Sequence, residues 1–332
     1  MFGAIWGAVI GAVLLLGTTA QADCAGKNLL NALPIQAQAE LRARAAAHPF
    51  AIGNFWLAER DAARIYLIGT YHFDDPRHAA TLAQLRPLLK TTRVLLVEAG
   101  PSEEVSLHQR LADEPALILN TKGPTLPELL TPETWQLLSK AVRARGIPPV
   151  MVAKLQPWYV SMLLSMPLCG LNSAAAENGL DRQLMLAAAA EAIPIKALEP
   201  YDTVLRIFGD MPQSEQLDMV TMALATEASS ADMMTTLADS YFAQEGRLIW
   251  EFNRLQSHEV LGYSPQRIDA DLAKMEQVMM IDRNRAWIAK IEAAAQQGQV
   301  LAAFGALHLS GEAGVLRLLE QQGYHISRQP LP

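Results

Sequence analysis

Apolar and polar positions along this chain follow two periods. Short apolar runs occur at Arg64–Ile68 (RIYLI), Arg93–Val97 (RVLLV), Ile193–Leu198 (IPIKAL), Val300–Phe304 (VLAAF) and Tyr324–Ser327 (YHIS). Runs this short, most of them rich in Val, Ile and Leu, read as strands, several of them buried on both faces as in a parallel sheet. Gly53–Ala58 lies across the polar turn Glu59-Arg60-Asp61 from Arg64–Ile68, so these two segments read as a hairpin. Val150–Ala153 is another short apolar run and reads as a strand. Elsewhere the spacing is helical. Lys27–Ala47 is Ala/Leu-rich at that spacing, and His78–Lys90 places Ala79, Leu82, Ala83, Leu85, Leu88 and Leu89 on one face. Leu180–Ala192 and a stretch from about Gly311 to Gln321 have the same period, with Gly323 just past the latter as a stop. From about Asp202 to Gln297 the helical pattern is almost unbroken and holds most of the methionines, which read as core. Strand, helix and strand from Arg64 to Val97 predict a right-handed crossover with parallel neighbours. The pattern predicts an α/β fold: a mixed, mostly parallel sheet flanked by helices, with a large helical insertion at about 202–297.

Composition narrows this. With 51% apolar and 18% charged residues in 332, the chain can bury a large core and is not disordered by composition. A net charge of −7, with no basic run of five or more, argues against nucleic acid or an anionic membrane surface as partner. Residues 2–19 are apolar and uncharged and are followed by Ala20-Gln21-Ala22. That order predicts an export signal cut after Ala22, a periplasmic or secreted protein, and a single domain over 23–332. No Lys or Arg stands near Met1, so an uncleaved membrane anchor is the alternative; Asp23 argues against a lipid on Cys24. In an oxidising compartment Cys24 and Cys169 predict one disulfide, with two buried thiols as the alternative.

The candidate chemistry lies at the ends of the apolar runs. Gly69-Thr70-Tyr71-His72 and Gly305-Ala306-Leu307-His308 each follow a buried-strand pattern. Glycine permits a sharp turn there, and the histidine then stands in a loop at the sheet's carboxyl edge, where open α/β sheets bind ligands. Glu98 ends RVLLVE in the corresponding position. Two histidines and a carboxylate are a ligand set of catalytic metal sites; without metal, His72 is a candidate general base oriented by Glu98. Arg283 and Asn284 interrupt an amphipathic helix, and either a substrate contact, a pairing of Arg283 with Glu98, or a solvated face accounts for them. Glu199 has the strand-end position of Glu98 but reads as a capping or solvated carboxylate, and Asp181 as a charge serving a helix N-terminus. No phosphate loop, G-x-S-x-G elbow or H-E-x-x-H occurs, which argues against nucleotide enzymes, serine hydrolases and ordinary zincins.

Taken in order, LIGTYHFDDP, VLLVEAGP, GLDRQL, ALEP, DRNRAWIAKI and AFGALHLSGEAGVLRLLEQQGY resemble the TraB/PrgY/GumN family, which includes the TIKI metalloproteases. The resemblance implies a fold related to erythromycin esterases and ChaN-like proteins. It implies an exported hydrolase or peptidase acting on a peptide or small protein, with His72, His308 and Glu98 as metal ligands. Glu98 is alternatively the general base. Manganese or cobalt is the implied metal, with zinc as an option. Arg283 would stabilise charge on the substrate carbonyl, with Asn284 orienting Arg283 or the substrate. Two other activities follow from the same resemblance: sequestration of a pheromone-like peptide without catalysis, and metal-independent esterase-like hydrolysis. Pro200-Tyr201-Asp202 departs from the family's usual residues after ALE, which weakens a role for Glu199.

Overall fold

The computed structural model describes residues 26–168, 178–259 and 262–331. The expected export signal, Cys24 and Cys169, with the expected disulfide, lie outside them. Among the described residues, no helix is long and apolar enough to cross a membrane.

Most of the apolar runs assemble into one six-stranded sheet. Its strands are β1 (Phe55–Arg60), β2 (Ala63–Thr70), β3 (Val94–Val97), β4 (Ile195–Ala197), β5 (Val300–Gly305) and β6 (His325–Arg328). They lie in the order β4-β3-β5-β2-β1-β6. β4, β3, β5 and β2 run parallel; β1 pairs antiparallel with β2 as the expected hairpin, and β6 pairs antiparallel with β1. This is the mixed, mostly parallel sheet that the pattern predicts.

Period-2 alternation divides β5 between two cores. Val300, Ala302 and Phe304 pack on one face with Trp287, Ile288 and Ile291 of the helix Asp282–Ala295 and with Leu316 and Leu319 of the helix Val315–Gln321. Leu301 and Ala303 pack on the other with Leu85 and Leu89 of the helix His78–Leu89 and Leu184 and Ala188 of the helix Leu180–Ala190. A strand covered on both faces must be apolar throughout, which is why VLAAF carries no polar residue.

Two expectations are corrected. β2 and β3 are not neighbours: the crossover skips one position, and β5, the most evenly buried run, fills the gap. Val150–Ala153 is not a strand but part of a helical turn, Pro149–Val152, because proline at the first helical position supplies a suitable φ and lacks an N–H that would go unpaired. Lys27–Ala47 is helical as its spacing predicts, in two helices, Leu29–Ala32 and Ile35–Ala46, divided at Pro34. The helical insertion stands as expected, with six α-helices from Thr203 to Ala295 between β4 and β5 among the described residues.

Candidate functional site

Strand register brings the candidate residues to one edge. Gly305 is opposite Thr70 of β2, and Ala303 is opposite Val97 of β3. The β3–β4 pairing continues past the strands, where the Leu198 and Glu199 amides donate to the carbonyls of Val97 and Glu98. His72, Glu98, Glu199 and His308 therefore all follow carboxyl ends of parallel strands, at the crevice where such sheets bind ligands. Histidines drawn from near opposite ends of the chain meet because β5 is central. A Cβ built on Gly305 would lie 3.2 Å from His72 Nε2, 3.3 Å from Glu98 Oε1 and 3.7 Å from His308 Cδ2. Glycine at 305 leaves that space open.

Arg283 organises the buried half of the site. Its Nη2 donates to Glu98 Oε2 at 2.6 Å and to Glu199 Oε1 at 3.0 Å, and its Nε donates to Glu199 Oε2 at 2.8 Å. Its Nη1 donates to the Met279 carbonyl at 2.9 Å and to His308 Nε2 at 3.2 Å. Met279 belongs to a π-helical turn, Gln277–Ile281, directly before the helix Asp282–Ala295. All five guanidinium protons are thus spent inside the protein. Arg283 is a hub for two carboxylates and an imidazole, and of its candidate roles the pairing with Glu98 is the one the structure shows. Because an arginine can only donate, His308 Nε2 accepts, and Nδ1–H donates to Asn284 Oδ1 at 2.6 Å. Asn284 Nδ2 donates to the Ala313 carbonyl. Asn284 therefore orients His308, because the helix turns its amide toward that ring.

The charges follow from this wiring. Burial pushes His308 down to about 3; Glu98 pulls upward but is outweighed with the help of Arg283, so the ring is neutral. Burial raises both carboxyls of the pair. At Glu98 the Arg283 guanidinium pulls against it, downward. At Glu199 burial prevails over Arg283, with the Glu98 charge adding to it, and the pKa is raised. Trp287 Nε1 also donates to Glu199 Oε2, and its ring lies against both Arg283 and His308.

His72 forms the accessible half. Its side chain is 20% exposed and that of Asp181 22%, against 5–7% for Glu98, Glu199, Arg283 and His308. His72 Nδ1 and Asp181 Oδ1 lie 3.3 Å apart, an ion-pair contact outside hydrogen-bonding geometry, and neither atom has a hydrogen-bond partner among the described residues. The helix Leu180–Ala190 sets this pair: its first amide, of Leu180, donates to the Tyr71 carbonyl at 3.0 Å. Gly179 lies so close that a Cβ there would fall 2.3 Å from the His72 carbonyl carbon. Burial raises the Asp181 carboxyl, and the facing imidazole more than reverses it.

The structure thus gathers His72, Glu98, His308, Arg283 and Asn284. It adds Asp181 and Glu199, which the sequence pattern leaves as a helix-terminal charge and a capping carboxylate. The only sequence signal for Asp181 was its place in GLDRQL, and for Glu199 its strand-end position.

Comparison with known proteins agrees with this arrangement in extent. A family model described as the TraB/PrgY/gumN family matches residues 54–328, a span that holds every residue of the site. A protein of Escherichia coli (strain K12) called "Uncharacterized protein YbaP" is 26% identical over 259 residues, covering 76% of this chain and 87% of that protein. The protein of the same name from Shigella flexneri matches to the same extent.

Proposed function

The chain belongs to the TraB/PrgY/gumN family, and from that membership and the geometry of the sheet edge we propose that it is a hydrolase acting on a peptide or small protein. The His72–Asp181 pair carries this reading. A general base needs one ring nitrogen held by a carboxylate, the other free, and access to solvent. His72 Nδ1 faces Asp181, its Nε2 borders the space over Gly305, and its side chain is the accessible imidazole of the site. In this scheme His72 Nε2 takes a proton from the attacking water as the water oxygen bonds to the carbonyl carbon. The same nitrogen returns the proton to the leaving amine as the C–N bond breaks. Asp181 holds the ring and stabilises its charge. Glu98 Oε1, which already accepts the Gly305 amide at 2.7 Å, has a second lone pair for that water.

A metal-dependent peptidase is the second reading, favoured by the approach of His72 Nε2, Glu98 Oε1 and the His308 ring to one point. The residues as arranged do not fit it. Arg283 holds Glu98 Oε2 and His308 Nε2, and among the described residues no three His, Cys, Asp or Glu side chains group as metal ligands. A guanidinium already supplies the positive charge there. Chelation separates the readings. After exhaustive dialysis against EDTA, the protein-only scheme predicts unchanged cleavage of a mixed peptide pool by mass spectrometry. Loss of cleavage restored by Mn²⁺ or Co²⁺ would establish the metal reading, and binding without products would establish sequestration. We also propose export, with the mature chain beginning at Asp23; amino-terminal sequencing of the native protein tests it.

A further inference from the structure

We infer that a methionine-lined cavity behind Arg283 is the subsite for an apolar stretch of the substrate peptide. This deepens the hydrolase reading and rests on it. The cavity holds about 940 Å³ and is walled by segments of the helical insertion. That is the upper part of the range for ligand pockets, which are mostly apolar with a few polar groups. Its wall includes Ile207, Met219, Met222, Leu272, Met275 and Val278, all apolar and all only half-buried. Met219 and Met275 also pack on the core around Trp158 and Phe208, so one methionine set serves both core and cavity. Methionine adapts its shape to varied apolar partners. The cavity reaches Glu199, Arg283 and Trp287, so its occupant would touch the hub that holds Glu98 and His308.

Charge selects the occupant. The basic side chains among the described lining residues are Arg206, Arg267, Lys274, Arg283 and Lys290. Arg206 faces Asp202, Arg267 faces Asp218, Lys274 faces Glu215, and Arg283 faces Glu98 and Glu199. Lys290 Nζ donates to the Leu198 carbonyl. A fatty acid would bring a carboxylate to a wall whose cations are already matched. An uncharged apolar peptide segment needs no unmatched cation, and the apolar wall covers its side chains.

The test is anisotropy of fluorescein-labelled peptides on His72→Ala protein, so that turnover does not interfere. One peptide is built of Val, Leu and Phe, the other of Ser, Thr and Gln. The apolar peptide is expected to bind about tenfold tighter or better. Met222→Trp and Leu272→Trp, each filling the cavity, are expected to weaken it about tenfold at unchanged Tm. Should one variant fail to fold, the other decides. Dodecanoate is expected not to displace the peptide. Equal binding of both peptides, unchanged affinity in the folded filled variants, or displacement by dodecanoate would each overturn the assignment. Because binding is read without turnover, an inactive wild-type protein would defeat the hydrolase reading and leave this result standing.

Discussion

Removal of the Arg283 guanidinium would leave Glu98 and Glu199 facing each other in a buried space, with His308 Nε2 deprived of its donor. Breaking a buried ion pair from one side costs about 3–5 kcal/mol. Arg283→Met should therefore lower urea-unfolding stability by that order, and Arg283→Lys should restore little, since an ammonium cannot reproduce the five-donor fork. Asp181→Asn should behave oppositely. It should leave Tm nearly unchanged and reduce kcat about 10²-fold or more with little change in KM, because it disturbs the base without emptying the hub. A purely structural Asp181 would shift Tm and spare kcat. His308 supplies a pH test. Its folded-state pKa of about 3 lies below the ordinary 6.5, so across that window the unfolded chain binds a proton that the folded one does not. Its contribution to stability is full above about pH 6.5 and is lost as pH falls toward 3. The wild-type stability should drop more steeply over that range than that of His308→Gln; parallel curves would contradict a buried neutral ring. At this scale His72, Glu98 and His308 were legible because strand-end position and glycine context mark them. Asp181 and Glu199 were not, nor was the partner of Asn284, since these contacts depend on how a helix is rotated against a distant loop.

The helix Leu180–Ala190 shows how an element, not a residue, sets the base. Its first amide holds the Tyr71 carbonyl, and Gly179 lies against the backbone of His72. Gly179→Ala would place a methyl group within 2.3 Å of that backbone, so the loop must shift. Overpacking of this kind costs about 1–3 kcal/mol, and here the shift also parts His72 from Asp181. Activity should fall by more than the loss of stability explains, with the protein still folded by circular dichroism at assay temperature. Full activity would mean that the loop does not need this contact. Strand existence was legible from the short apolar runs, yet strand order was not. A crossover carries no mark of how many positions it skips, so the place of β5 between β2 and β3 followed only from packing. At Pro149 local proline chemistry outweighed an apolar run that periodicity alone leaves ambiguous.

Across the whole molecule, the parallel sheet supplies a rigid edge and the long helical insertion supplies the hub arginine and a large apolar cavity. The insertion was legible as helical, and its methionines as core. The cavity was not, because a half-buried and a buried methionine share the same sequence period. The central claim is that His72 directs water onto a peptide bond at this edge. Mass spectrometry of peptide products formed in H₂¹⁸O tests it most directly. The account predicts one ¹⁸O in each newly formed carboxylate with wild-type protein, and no products with a folded His72→Ala variant. Cleavage by that variant at the wild-type rate, or tight peptide binding by the wild type with no labelled product, would contradict it.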